Sequence, residues 1–220
     1  MRDINQKIIE FNYEKNLKND DFFTSTSNKH VYNFLNSWPK WEKNFLNICG
    51  EKLSGKSHLM NIFLKKFKGI IFDAYKFNND DLANIKLHEN IIIEDLNEKI
   101  NEKLIYTLIN IIDQSNKYLI ITTLKPISEL DFNLIDLKSR TKNFLIQNIR
   151  KPDDELVFAL LIKNLSDRQI TIEKKLVNYI VKRIHRSYSN IFDFIYKIDE
   201  VSLKKKKSIN LSIIREILGD

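Results

Sequence analysis

The sequence predicts an α/β fold: a P-loop core built on a parallel five-stranded sheet flanked by helices, followed by a small all-helical lid domain. Three observations carry this expectation. Five short and nearly continuous apolar runs recur up to Ile149. Strands covered on both faces read this way, and such strands belong to parallel sheets. Amphipathic segments of helical period separate the runs. Beyond Ile149 the strand pattern stops and only helical patterns follow.

The elements follow in order. "NFLNICG" (Asn44 to Gly50) reads as the first strand, and the amphipathic stretch from Ser57 to Phe67 as the helix after it. "GIIFDAY" (Gly69 to Tyr75), "NIIIEDL" (Asn90 to Leu96), "KYLIITTL" (Lys117 to Leu124) and "NFLIQNI" (Asn143 to Ile149) supply the other four strands, each rich in Ile, Phe or Tyr. A helix is expected over Glu98 to Ser115, because Ile100, Leu104, Leu108 and Ile111 fall on one face. A short helix ending near Arg140 precedes the last strand. Pro152 and the acidic residues after it suit the first turn of a helix. Further helices are expected near Ile172 to Ile184, Ser189 to Val201 and Leu211 to Leu218. The resulting division is an N-terminal tail (1–15), an α/β core (16–150) and a helical lid (151–220), without internal repeats.

Composition narrows the class. The formal net charge is +7, but Lys, Ile and Asn are abundant throughout while the chain has only 4 Gly and 3 Pro. That pattern fits an AT-rich genome better than a dedicated nucleic-acid surface. The run Lys204 to Lys207 is either a solvated loop or a contact for an anionic partner. The single cysteine, Cys49, excludes a disulfide within the chain. The N-terminus lacks the apolar stretch of a secretory signal. No apolar run approaches the ~18 residues of a membrane span. A soluble, cytoplasmic protein is the expectation.

Four motifs carry chemistry. Gly50, four residues, then Gly55-Lys56-Ser57 is the spacing of a phosphate-cradling loop, and it stands between an expected strand and an expected helix. Backbone N–H groups from Gly50 through Ser54 and Gly55 to His58 would face phosphates. Lys56 would reach the β and γ phosphates and Ser57 would ligate Mg²⁺. The loop is unusual in holding bulky Glu51, Lys52 and Leu53. The second motif, "IIIED", ends a strand in two carboxylates. Glu94 is expected at a metal and Asp95 at water, an order that suggests weak hydrolysis; the other reading is two solvated carboxylates. Third, Thr122 or Thr123 at the end of its strand is either a polar sensor of the γ-phosphate or an ordinary strand former. Fourth, Arg140 sits between the last two strands. It is either an arginine finger acting on a neighbouring subunit's nucleotide or a surface arginine paired with Asp136.

With these motifs in this order, the chain resembles the DnaA/Hda branch of the AAA+ ATPases, and its Hda-like members most. "GKSHL", "LKSR" before the last strand, the helical lid, and "STSNKHVYNFLNSWPKW" before the first strand carry the resemblance. It implies bound ADP or ATP with Mg²⁺, and adenine contacts near Phe22, Phe23 and Asn28. It also implies a lid arginine at the phosphates. Ser189 occupies that arginine's place here, with Arg186 about one helical turn away as the substitute. "QKIIEF" resembles the hexapeptide by which Hda-like proteins bind the sliding clamp, with Gln6, Ile9 and Phe11 as contacts and Lys7 where Leu is usual. The chain stops at Asp220 without a helix-turn-helix, so a DnaA proper is not expected. The implied role is regulatory inactivation of DnaA. The partners would be DnaA, the DNA polymerase III sliding clamp (its β subunit), DNA through that clamp, and a second copy of the chain. The alternative is an ATP-driven helicase loader of the DnaC/IstB type that binds single-stranded DNA.

Overall fold

The computed structural model of the chain describes residues 22–205 and 209–219. Gln6, Ile9 and Phe11 lie outside these residues, as do Lys206 and Lys207. The core runs α1 (Lys29–Asn36), β1 (Phe45–Cys49), α2 (Lys56–Phe67), β2 (Ile70–Asp73), α3 (Asp81–Ile85), β3 (Asn90–Glu94), α4 (Glu102–Gln114), β4 (Tyr118–Thr123), α5 (Ile135–Thr141) and β5 (Leu145–Asn148). The five strands form one sheet in the order β2-β3-β4-β1-β5, and every pair is parallel.

Alternation along the strands explains why their sequences are apolar throughout. Ile91, Ile93, Leu119 and Ile121 pack on one side against Leu104, Leu108 and Ile112 of α4 and Ile85 of α3. Ile92, Ile120, Leu46 and Ile48 pack on the other against Val31 and Leu35 of α1 and Leu59, Met60 and Phe63 of α2. Two details differ from the sequence reading. Helix α4 begins at Glu102 instead of Glu98, because the Asn101 side chain accepts the Leu104 N–H and caps the helix there. Glu98 stands outside it, paired with Lys125 at 2.8 Å. Helix α3 has only five residues, too short to leave a periodic signal.

One polar side chain crosses the interior. Asn47 of β1 is fully buried. Its Nδ2 donates to the Ile121 carbonyl (3.0 Å) and to Thr123 Oγ1 (2.9 Å), and its Oδ1 accepts the Ile127 N–H (2.9 Å). Thr123 Oγ1 in turn donates to the Lys125 carbonyl (2.6 Å). This bracket fixes the chain as it leaves β4 for the 3₁₀ turn Ile127–Glu129.

The lid comprises α6 (Asp154–Asp167), α7 (Lys174–Val181), α8 (Tyr188–Lys205) and α9 (Leu211–Leu218). It has its own core, including Leu161, Val177, Ile180, Ile195 and Ile214. Leu156 and Tyr188 reach instead into the α1–α2 layer of the sheet. Asp153 caps α6 with one oxygen, which accepts the Leu156 N–H at 2.9 Å. The other oxygen accepts Thr26 Oγ1 (2.6 Å), Ser27 Oγ (2.9 Å) and the Ser27 N–H (3.2 Å). Burial alone pushes this carboxyl up, but the hydrogen bonds from Thr26, the Leu156 N–H, Ser25 and Ser27 together outweigh it and hold it at about 2. Among the described residues no helix is long and apolar enough to cross a membrane.

Two outcomes follow. Asn47→Ala orphans the buried Ile127 N–H and should cost roughly 2–4 kcal/mol in chemical denaturation. Asp153 titrates below its unfolded value of ~3.9, so its contribution is present above that pH and is lost as pH falls towards 2. Asp153→Asn should therefore melt below wild type at pH 6, and the gap should close between pH 4 and 2 in melts along a pH series.

Candidate functional site

The carboxyl ends of β1, β3 and β4 meet at one rim of the sheet, where open α/β sheets place their ligands. The loop from Gly50 to Ser57 leaves β1 there. Its first N–H, on Gly50, still donates to the Thr123 carbonyl of β4 (3.2 Å). A side chain at Gly50 would meet Ser54 Oγ at 3.0 Å and Ile149 at 3.1 Å. Gly55 has φ +94° and lies under the Phe22 ring, which in turn meets His58 edge-on. Leu53 adopts φ +66° with 43% of its surface exposed, a conformation that costs a branched residue about 1–2 kcal/mol. Ser54 Oγ is buried with no hydrogen-bond partner.

Lys56 opens α2 and is only 6% exposed. Its ammonium donates to the Gly50 carbonyl (2.7 Å) and the Glu51 carbonyl (3.0 Å). Burial pushes its pKa down, while Asp95, Cys49, Glu94 and Glu51 pull the other way. Ser57 hydrogen-bonds Glu94 at the end of β3. Burial raises the Glu94 pKa; Ser57 and Lys56 oppose the rise, and Asp95 and Asp73 add to it. Glu94 Oε1 is buried without a partner. A hydroxyl beside an unsatisfied carboxylate oxygen suits a hard cation such as Mg²⁺, which takes one or two protein oxygens and completes its shell with phosphate and water. Among the described residues no cluster of three or more His, Cys, Asp or Glu could hold a metal without such help.

The two threonines part company. Thr122 lies on the α2 side, and its Oγ1 accepts the Asp95 N–H (2.9 Å), which holds the exposed Asp95 at φ +55° just beyond β3. Thr123 points to the opposite layer and is engaged by Asn47 and Lys125. Of the two candidates for a polar sensor, Thr122 or Thr123, strand alternation leaves Thr122 on the side of the phosphate-type loop and turns Thr123 to the interior. Phe23 and Asn28 lie together: Asn28 donates to the Phe23 carbonyl (3.0 Å) and accepts the Ser25 N–H (2.9 Å). Phe23 borders a broad groove against α6 and α7.

Arg186, expected as the substitute for a lid arginine, is engaged in part, and its Nη1 is buried without a partner. Its guanidinium pairs with Asp154 at 2.6 Å, at the start of α6. Ser189 lies at the loop: the Tyr188 and Ser189 N–H groups both donate to the Glu51 carboxylate (3.1 and 3.4 Å). Arg140, in the last turn of α5, pairs with Asp113 of α4 at 2.9 Å, instead of with Asp136. Both side chains are about half exposed. Sequence reasoning missed Glu51 and Asp113. The sequence marks Glu51 only as a bulky loop residue, and nothing local marks Asp113, which is 27 residues from Arg140.

Comparison with known proteins agrees with this geometry. Residues 153–218 match the family model of the Hda lid domain. An uncharacterized protein of Haemophilus influenzae is 26% identical over 188 residues, covering 80% of this chain and 81% of its own. Domain III of the Thermotoga maritima replication initiation protein DnaA superposes with a TM-score of 0.73 at 18% identity, over 94% of this chain and 97% of that one. AMPPCP-bound DnaA from Aquifex aeolicus gives 0.63 at 18% identity, over 84% of this chain and 64% of its own. Residues 153–218 are thus similar to a lid of the Hda type, and the chain has the fold of DnaA domain III.

Proposed function

We propose that the protein is a nucleotide-binding regulator of replication initiation that makes DnaA hydrolyse its own ATP. The observation that carries this reading is the Hda-type lid joined to a core of the DnaA fold. The Gly50–Ser57 loop would hold ADP or ATP, as the Aquifex relative holds AMPPCP. Its backbone N–H groups and Lys56 would take the phosphates. Ser57 and Glu94 would hold Mg²⁺, which neutralises phosphate charge when bound. Phe23 and Asn28 would stand at the adenine. Asp95, although close by, is held by its backbone through Thr122, and the nucleotide serves chiefly to order the core.

Arg140 would act on the neighbour. Its pair with Asp113 is exposed, so it contributes at most about 1 kcal/mol and yields readily to a better anion. A phosphate next door is such an anion, and the planar guanidinium can hold it with two hydrogen bonds. Gln6, Ile9 and Phe11 would bring the protein to the sliding clamp on DNA, which concentrates it beside DnaA.

Three experiments test this. ADP at ~100-fold its Kd should stabilise the wild type by about 2.7 kcal/mol in thermal melts and leave Lys56→Ala unshifted; an unshifted wild type removes the nucleotide. On clamp-loaded DNA, Arg140→Ala should lose the stimulation of ATP hydrolysis by DnaA, which for fingers of this kind is about 10³-fold or more. Asp113→Asn should keep it in full. Brisk hydrolysis by the protein alone, dependent on Asp95, would replace this reading with the helicase loader. Finally, changing Gln6, Ile9 and Phe11 together to Ala should abolish clamp binding without shifting the melt.

A further inference from the structure

Helix α8 has 18 residues, and its first-turn N–H groups need acceptors from outside its own ladder. The local sequence supplies part of them. Ser187 Oγ accepts the Asn190 N–H (3.2 Å) and the Ser187 carbonyl accepts that of Ile191 (3.2 Å). The two remaining donors, Tyr188 and Ser189, are taken by Glu51, whose two oxygens span them. A carboxylate at this end of a helix also meets the positive end of its dipole. The acceptor comes from 137 residues away, in the phosphate-type loop.

The backbone of the same residue holds that loop together. The Glu51 carbonyl accepts the Lys56 ammonium (3.0 Å) and the Ser54 N–H (3.2 Å). Lys56 cannot turn away without releasing the Glu51 peptide. That peptide cannot rotate freely while its side chain is fixed on α8. The start of α8 has a second anchor: the Tyr188 ring is buried in the sheet's α1–α2 layer and its hydroxyl donates to the Arg150 carbonyl (3.1 Å). Helix α8 therefore stays in place as a body, and the Glu51 contact decides only how its first turn sits on the loop.

We propose that Glu51 is an internal latch, a carboxylate of the phosphate loop that fixes the first turn of lid helix α8 and ties the seating of that turn to the state of Lys56. The part of this that concerns ligand rests on the nucleotide reading above; the latch itself does not. In this chain the loop reports to the lid through its own acid, and the lid contributes two backbone donors.

Hydrogen exchange of the peptide covering residues 186–194 tests it, on the full chain and first without nucleotide. Glu51→Ala should exchange about tenfold faster there than wild type. Glu51→Gln, which keeps an acceptor but loses the charge, should fall between them. Peptides of β3 and β4 should exchange alike in all three, which shows the core intact. Equal rates at 186–194 in all three proteins overturn the latch. Saturating ADP is then added. Exchange in Glu51→Ala should remain fast although ADP raises its melting temperature; if ADP restores wild-type protection, nucleotide holds the first turn by another route and the tie through Glu51 to the state of Lys56 is wrong. If ADP binds neither protein, the nucleotide reading falls and the first comparison alone decides the latch.

Discussion

Ile91, Ile92 and Ile93 bury against two different layers of helices, and that double burial dictates where polar groups can stand. A side chain within any central strand enters one apolar layer or the other. Apart from the fully bonded Asn47, polar chemistry is left to the strand ends, and because every pair is parallel the carboxyl ends share one rim. Gly50, Glu94, Asp95 and Thr122 are neighbours for this reason alone. The same constraint sorts Thr122 from Thr123. Adjacent residues of one strand cannot serve the same layer, so one supports the acidic segment and the other belongs to the interior.

The lid attaches by different means. Its own core is apolar, while its contacts with the sheet domain combine the buried Leu156 and Tyr188 and the partly buried Leu160 with a few hydrogen bonds, most of them to carboxylates. Asp153 holds the Thr26–Ser27 segment, Glu51 holds α8, and the Tyr188 hydroxyl holds the chain at Arg150. Attachments of this kind are directional. They set an angle between parts more firmly than they bind the parts together. A fold that must bring two parts to a common crevice gains from such attachments, because apolar contacts slide and hydrogen bonds do not.

The strands and most helices were legible because burial writes a period into the sequence. All five apolar runs became strands, and the glycine spacing marked the loop. What sequence could not show is partner choice. Arg140 chose Asp113 over the nearer Asp136 because α4 and α5 pack together. Arg186 chose Asp154, at the start of another lid helix. Glu51 found its partner 137 residues away. Side-chain pairing across such separations has no local signature, so motif spacing located the phosphate-type loop and its acidic strand but not the residues that hold them in place. The start of α4 was a smaller failure of the same kind: apolar period continued through Ile100, and only the Asn101 cap ended it.

Asn47 carries a consequence of its own. By gripping Thr123 and Ile127 it gears the strand that precedes the phosphate-type loop to the segment that leads towards α5, and so to the helix on which Arg140 rides. Damage to this bracket would shift an arginine on the surface although Asn47 itself touches no solvent. In a genetic screen such lesions would group with those at Arg140 and the phosphate-type loop. Their temperature sensitivity would tell them apart, since a weakened bracket would still close in the cold and open on warming.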